Sequence, residues 1–222
     1  MFAGEYIDTR WVATEYIFTR FNYEASKITD CFFVEIGANN GKHEDPLYHS
    51  ITTQQWHGIL VEPDAEVFKA LTETYYHYRG NLIFEQCAIS DVNGSVELYT
   101  GTLANLKAQD STMHYTLLKG QGEFMLPIDP HATTVPSMTA DKLLEKHNVT
   151  KVDVLMTDVE GYDFVVLKTF PFHRIRPKII IAEFCAVHHM GNTVNELGYF
   201  LEDLGYTLHM DMYHGDLIGY RL

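Results

Sequence analysis

Between residues 31 and 184, short apolar runs alternate with stretches of helical period. The runs are CFFVEI (31–36), GILVEP (58–63), LIFEQCAI (82–89), VDVLMTDVEG (152–161) and KIIIAEF (178–184). They are nearly all apolar instead of alternating, which is how strands covered on both faces read. DAEVFKALTETYYHY (64–78) and TADKLLEKHN (139–148) between them have the helical pattern. Strand, helix, strand repeating in this way predicts an α/β sandwich of three layers around a mostly parallel central sheet.

The ends of the chain depart from this rhythm. In residues 1–30, Ile7, Trp11 and Phe18 fall close to one helical face, which predicts a helical extension covering part of the main domain, residues 31–222. Near the C-terminus Thr193 and Glu196 have capping-box spacing, Leu197, Phe200, Leu201 and Leu204 form one apolar face, and Gly205 is placed to stop the helix. YTLHMDM and DLIGYRL then flank Tyr213-His214-Gly215, which predicts a closing antiparallel hairpin. Residues 101–137, with GQG at 120–122 and Pro127, Pro130 and Pro136, keep no period. A long irregular segment of this kind predicts a substrate-facing loop, and the alternative is a surface excursion with short strands.

Composition narrows the function classes. The 222 residues carry 16 Lys plus Arg against 30 Asp plus Glu, a formal charge of -14. Phosphate neutralisation needs a basic face, so nucleic acid is excluded as a general partner. Hydrophobic content of 46% with 13% aromatics argues against disorder. Cys31, Cys87 and Cys185 are far apart, odd in number and set in apolar runs, so they read as reduced core thiols. No apolar run reaches the roughly 18 residues of a membrane span, and MFAGEYIDTRW carries charges where a signal peptide is apolar. The expectation is a soluble, cytoplasmic protein without a membrane partner.

In an open parallel sheet, ligands sit beyond the carboxyl ends of the strands, near the point where strand order reverses. The proposed strands end there in acids: Glu35, Glu62, Asp158 with Glu160, and Glu183. The first turn is Glu35-Ile-Gly-Ala-Asn-Asn-Gly41, where Gly37 and Gly41 permit a tight turn and Asn39 and Asn40 tolerate unusual backbone angles and offer amides. Asn39 breaks the G-x-G-x-x-G dinucleotide fingerprint, and Gly41-Lys42-His43 lacks the hydroxyl of a phosphate-binding Walker loop. Glu35 would repel a phosphate and favours a cation. Glu62, at the end of the second strand, is placed to accept both hydroxyls of a ribose. An adenosine-bearing cation without phosphates satisfies both acids, and S-adenosylmethionine has that description.

VEIGANNG (34–41), VEPDAEVF (61–68), CAISDVNGSVELY (87–99), MTADKLL (138–144), MTDVEGYDFVVLK (156–168) and IIIAEF (179–184) occur in one order. In that order the chain resembles the FkbM-type family of S-adenosylmethionine-dependent methyltransferases from about residue 31 to its end. Glu35 stands where Asp is common and Thr157 where an apolar residue is frequent, and the 101–137 region matches poorly. The resemblance implies a Rossmann-like class I methyltransferase sandwich. It implies Glu35, Gly37, Asn39 and Gly41 around the methionine end of the cofactor, Glu62 at the ribose and Asp64 near the adenosine. It also implies that Ala88 presents backbone groups to adenine, with Cys87 and Ile89 as apolar walls, and that Asp158 borders the cofactor.

Methyl transfer from a sulfonium is an in-line displacement, so the protein must hold a nucleophile against the methyl group and take one proton. Asp158, Glu160, Glu183, His188 and His189 are the candidate bases. Asp158 and Glu160, at i and i+2, share a face only while the chain stays extended. Asp158, Glu160, Glu183 and His188 also offer ligands for a divalent metal. No ligand-spacing motif supports one, so no metal is assigned. The leading expectation is O-methylation of a hydroxyl on a sugar or small molecule. The alternatives are N-methylation, a non-catalytic nucleotide- or metabolite-binding protein that kept the cofactor pocket, and a dehydrogenase, which the broken glycine pattern disfavours.

Overall fold

The apolar runs form the strands, in a computed structural model that describes residues 7–12, 17–43, 45–78, 80–100, 115–116, 131–184, 192–212 and 214–221. β1 (Phe32–Ile36), β2 (His57–Val61), β3 (Leu82–Glu85), β8 (Val154–Thr157) and β9 (Ile179–Glu183) pair in parallel. β10 (Thr207–Asp211) and β11 (Asp216–Tyr220) add the expected hairpin, with β11 inserted antiparallel beside β9. The sheet order is β10-β11-β9-β8-β1-β2-β3. The chain winds outward from β1 to β3 and then returns on the other side at β8. The crevice between β1 and β8 is therefore the switch point at which such sheets bind ligands.

Period-two alternation sorts side chains onto two buried layers. Val34 and Ile36 face one cluster, with α4 (Ala140–Lys146), α5 (Asp163–Thr169) and α6 (Val194–Asp203) supplying Leu143, Leu167 and Leu197. Phe33 faces the other, with α1 (Ile17–Ser26), α2 (Tyr48–Gln54) and α3 (Ala65–Thr74) supplying Phe21, Ile51 and Leu71. Both faces are covered, which accounts for the unbroken apolar runs. Local signals hold at the helix ends. Asp64 caps α3, Thr139 caps α4, and Thr193 with Glu196 forms the expected capping box. Gly205, at φ 90°, follows α6.

Three expectations are corrected. Ile7 and Trp11 pack with α6, whereas Phe18 packs with the opposite cluster, so they do not share one helical face. At the β10 edge of the sheet, Val12 bridges Met210. Trp11 is 2% exposed, donates to Glu202 at 2.9 Å and lies so close over Gly198 that a Cβ there would overlap its ring. The run 82–89 is not one strand. It breaks after Glu85, and Ala88–Ile89 forms β4 of a second sheet, ordered β4-β7-β5-β6. In that sheet β5 is Gly94–Thr100, β6 is Tyr115–Thr116 and β7 is His131–Met138. The end of the supposed loop, 131–137, is thus strand, seven of whose pairs match β5 directly. The rest of 101–130, apart from β6, lies outside the described residues, as does Cys185. The second sheet springs from the carboxyl end of β3 and rejoins the main domain through α4. Among the described residues no helix is long and apolar enough to cross a membrane.

Candidate active site

The first turn is shaped by contact with the end of β8. Gly37 sits at φ 86°, and a Cβ on it would overlap the carbonyl of Asp158. Gly37 and Ala38 donate to the Val61 carbonyl at 3.0 and 2.9 Å, which ties the turn to β2. Gly41 closes on Leu71 and Tyr75, leaving no room for a side chain. Asn39 adopts the left-handed conformation at φ 46°. The amide oxygens of the turn are spent internally: Asn39 accepts from Asn40 N–H at 2.7 Å, and Asn40 from Lys42 and His43 at 3.0 Å each. The asparagines therefore build the turn, and the backbone presents it.

Glu62 follows β2 directly and is 4% exposed. Its Oε2 accepts from Asn39 N–H at 3.1 Å and its Oε1 from Asp64 N–H at 2.9 Å. Burial pushes its carboxyl up to about 7, against these two bonds, which hold it down. One carboxylate thus joins the glycine turn to the start of α3, with lone pairs remaining for a diol. Asp64 spends Oδ1 on the helix, accepting from Glu66 and Val67 N–H at 2.9 and 3.0 Å.

Glu35 is the penultimate residue of β1, not its end, and it points to the α3 face with Phe33. It is 1% exposed, and Oε2 has no hydrogen-bond partner. Burial raises its carboxyl well above the usual range, and the charges of Asp45 and Asp158 add to that. Asp45 is fixed by Tyr75 Oη at 3.1 Å and Leu47 N–H at 2.6 Å. Burial pushes it up to about 6. Asp158 follows β8 directly and is exposed at its surface, although protein atoms crowd around it. Burial raises its carboxyl, helped by Glu160, Asp163, Asp216 and Asp45.

The other half of the edge is also acidic. β8 ends at Thr157, and Glu160 takes a left-handed φ of 53°, so Asp158 and Glu160 do not share a strand face. Asp163 Oδ2 accepts weakly from Val159 and Gly161 N–H at 3.4 and 3.3 Å, and burial pushes it up to about 7. Glu183 ends β9 directly opposite Asp216 at the start of β11, and burial pushes Asp216 up to about 7. In the adjoining turn His214 Nδ1 lies 2.6 Å from Asp211 Oδ2, and the Gly215 carbonyl accepts from Phe184 N–H at 2.8 Å. Cys87 and Ile89 belong to the main core and Ala88 to a small cluster with Leu98 and Val135. Burial pushes the Cys87 thiol up to about 12, as for a core thiol. His188 and His189 lie outside the described residues.

The structure therefore brings together Glu35, Gly37, Asn39, Gly41, Glu62, Asp64 and Asp158, with Glu183 on the far side of β8. Sequence reasoning missed Asp45, Tyr75, Asp163, Asp216 and the Asp211–His214 pair. Asp45 had one signal, its place directly before Pro46 and soon after the glycine turn. Among the described residues no group of three or more His, Cys, Asp or Glu side chains is arranged to hold a metal ion. A groove of ≈ 510 Å³ lined by Asp30, His57, Asn81, His147 and Lys151 opens at the amino ends of the strands, away from every candidate residue. The carboxyl edge offers buried carboxylates and an unpartnered Oε2, a donor set that fits a cationic ligand bearing a diol.

A family model described as the methyltransferase FkbM domain matches residues 35–208. No curated protein sequence matches the chain. Among solved structures, the methyltransferase FkbM from Methylobacillus flagellatus KT aligns with a TM-score of 0.53 at 12% identity, over 87% of this chain and 44% of that one. The present chain thus spans less than half the length of that relative. A candidate caffeoyl-CoA O-methyltransferase from Staphylococcus aureus aligns with a TM-score of 0.50 at 9% identity, over 95% of this chain and 85% of that one. At such identities the likeness is one of fold, the Rossmann-like sandwich of class I methyltransferases.

Proposed function

Because the chain belongs to the methyltransferase FkbM domain family, we propose that it transfers the methyl group of S-adenosylmethionine to a hydroxyl of a sugar or other small molecule. The observation that carries this reading is Glu62, a buried carboxylate fastened between the glycine turn and α3 where a ribose would lie. Gly37 and Asn39 present backbone above it, and Glu35 and Asp158 place carboxyl groups on the side of the cofactor's methionine end, where a cation would favour their ionisation. When bound, the cofactor supplies a methyl group on sulfur whose departure leaves a neutral thioether.

The chain's own residues then position the acceptor and take its proton. Positioning supplies several kcal/mol of barrier reduction, and a base contributes about 10²- to 10⁴-fold. Asp158, Glu160, Glu183 and the Asp211–His214 pair line the half of the edge left for the acceptor. Carboxylates there disfavour phosphorylated or carboxylated acceptors.

Calorimetry comparing S-adenosylmethionine with NAD tests the cofactor, and preferential NAD binding would contradict the reading. Incubation of hydroxylated sugars and small-molecule extracts with methyl-deuterated cofactor tests the reaction, with product mass and fragmentation as readout. Label on a hydroxyl oxygen is the expected result. Label on nitrogen would make it an N-methyltransferase, and cofactor binding without any labelled product would make it a binding protein.

A further inference from the structure

We infer that Asp45 is part of the cofactor site and that Glu35 and Asp45 together form a protonated carboxyl pair that surrenders about one proton when S-adenosylmethionine binds. The inference rests on the cofactor reading above and names how that site is poised before the cofactor arrives.

Glu35 sits inside the sheet, 1% exposed, with Oε2 meeting no donor. A lone carboxylate so placed pays a large desolvation penalty unless it is paired or neutral. Among the described residues, the groups that face it are all of the wrong kind to stabilise its charge. From the segment after the glycine turn comes Asp45, from the end of β8 comes Asp158, and behind Asp45 stands the Tyr75 hydroxyl. Among the described residues no Lys, Arg or His pairs with Glu35, Asp45 or Asp158. Asp45 cannot swing away, since Tyr75 Oη and Leu47 N–H hold both its oxygens. Tyr75 is itself locked against Gly41 of the cofactor turn. With no cation among the described residues pairing with them, two carboxyl groups that feel each other's charge do not both ionise, and Glu35, buried with an unpartnered oxygen, keeps the proton. Burial raises both in the direction this requires.

A cationic ligand end supplies the missing counter-charge. The proton then leaves the Glu35 carboxyl for the bulk buffer, and a carboxylate remains facing the cation. Asp45 is in this account a positioning residue: its fixed charge sets how firmly Glu35 keeps its proton.

Titration calorimetry of the full chain with S-adenosylmethionine, at pH 6.5 in buffers of different ionisation enthalpy, counts the protons. At that pH the cofactor's own α-amino group is already protonated, because such groups titrate near 7.7–8.0. The expected result is release of roughly 0.5 to 1 proton per cofactor bound, in line with one carboxyl of the pair being protonated beforehand. Glu35→Gln and Asp45→Asn should each release clearly fewer protons than the wild type, the remainder coming from other raised carboxyls such as Glu62. A wild type whose enthalpy does not vary with buffer, or a Glu35→Gln protein that releases as many protons as the wild type, would overturn the inference. Should Glu35→Gln fail to fold, the proton counts of the wild type and of Asp45→Asn at pH 6.5 decide the matter, and an Asp45→Asn protein that releases as many protons as the wild type counts against it. A wild type that does not bind the cofactor defeats the functional reading and the inference with it, whereas binding without proton release defeats the inference alone.

Discussion

Glu62→Gln separates the structural from the functional work of the residue on which the cofactor reading turns. In the wild type one carboxylate accepts two backbone N–H bonds, from Asn39 at 3.1 Å and Asp64 at 2.9 Å. An amide of the same shape can accept from only one of them, and its NH₂ meets the other donor head-on. A bond to a charged acceptor is worth about 1.5–3 kcal/mol, and relief of the buried charge returns part of it. We therefore expect a net stability loss of ~1–2 kcal/mol, or about 2–8 °C in Tm for a domain of this size. If the same carboxylate also takes the ribose hydroxyls, a second charge-assisted bond disappears on binding, and affinity should fall by a further ~10- to 150-fold. Differential scanning fluorimetry reads the first effect and calorimetry with S-adenosylmethionine the second. A variant with lowered Tm and cofactor affinity within twofold of wild type would show Glu62 to be a tie between the turn and α3 and nothing more, which refutes the ribose assignment.

Other perturbations follow from the same geometry. Gly37→Ala forces a left-handed backbone on a residue with a Cβ, about 1–2 kcal/mol, and drives that Cβ into the Asp158 carbonyl, so cofactor binding should be lost or fall more than 10-fold while helical circular dichroism persists. The apo protein should melt at higher temperature at pH 5.5 than at pH 8. Glu62, Asp163 and Asp216 rise to about 7 and Asp45 to about 6 on folding, so their contribution is fully present below the unfolded value near 4 and is lost as pH climbs through 6 to 7. Saturating S-adenosylmethionine should narrow that difference, and an apo Tm that rises across this window would contradict the placement of these acids. Trp11→Ala should cost about 3–5 kcal/mol, because the indole is buried over Gly198 and bonded to Glu202, yet leave cofactor affinity unchanged, as it packs against α6 beside the β10 edge and not at the β1–β2 end of the sheet.

Much of this architecture is legible in the sequence for one reason: strands covered on both faces must be apolar throughout, and their acidic ends then stand out. Glu62 and Asp158 could be placed on that basis, and the capping box at Thr193 needs only local chemistry. What was illegible depends on distant contacts. The break after Glu85 leaves an apolar run unchanged, because Ala88 and Ile89 are buried in the second sheet as fully as in the first. The threonine-rich strand 131–138 has no apolar face to announce it and is fixed by pairing with β5. Trp11 and Phe18 keep helical spacing yet pack into opposite layers of the sheet. Asp45 becomes interesting only when Tyr75, 30 residues later, is seen to hold it.

The most direct test of the account is the crystal structure of the protein grown or soaked with S-adenosylhomocysteine. The account predicts the ligand at the carboxyl ends of β1 and β2, its ribose hydroxyls within hydrogen-bond distance of Glu62 and its amino-acid end over the Gly37 turn, beside Glu35. Nucleoside bound in the groove at the amino ends of the strands, or a carboxyl edge left empty at saturating ligand, would contradict it.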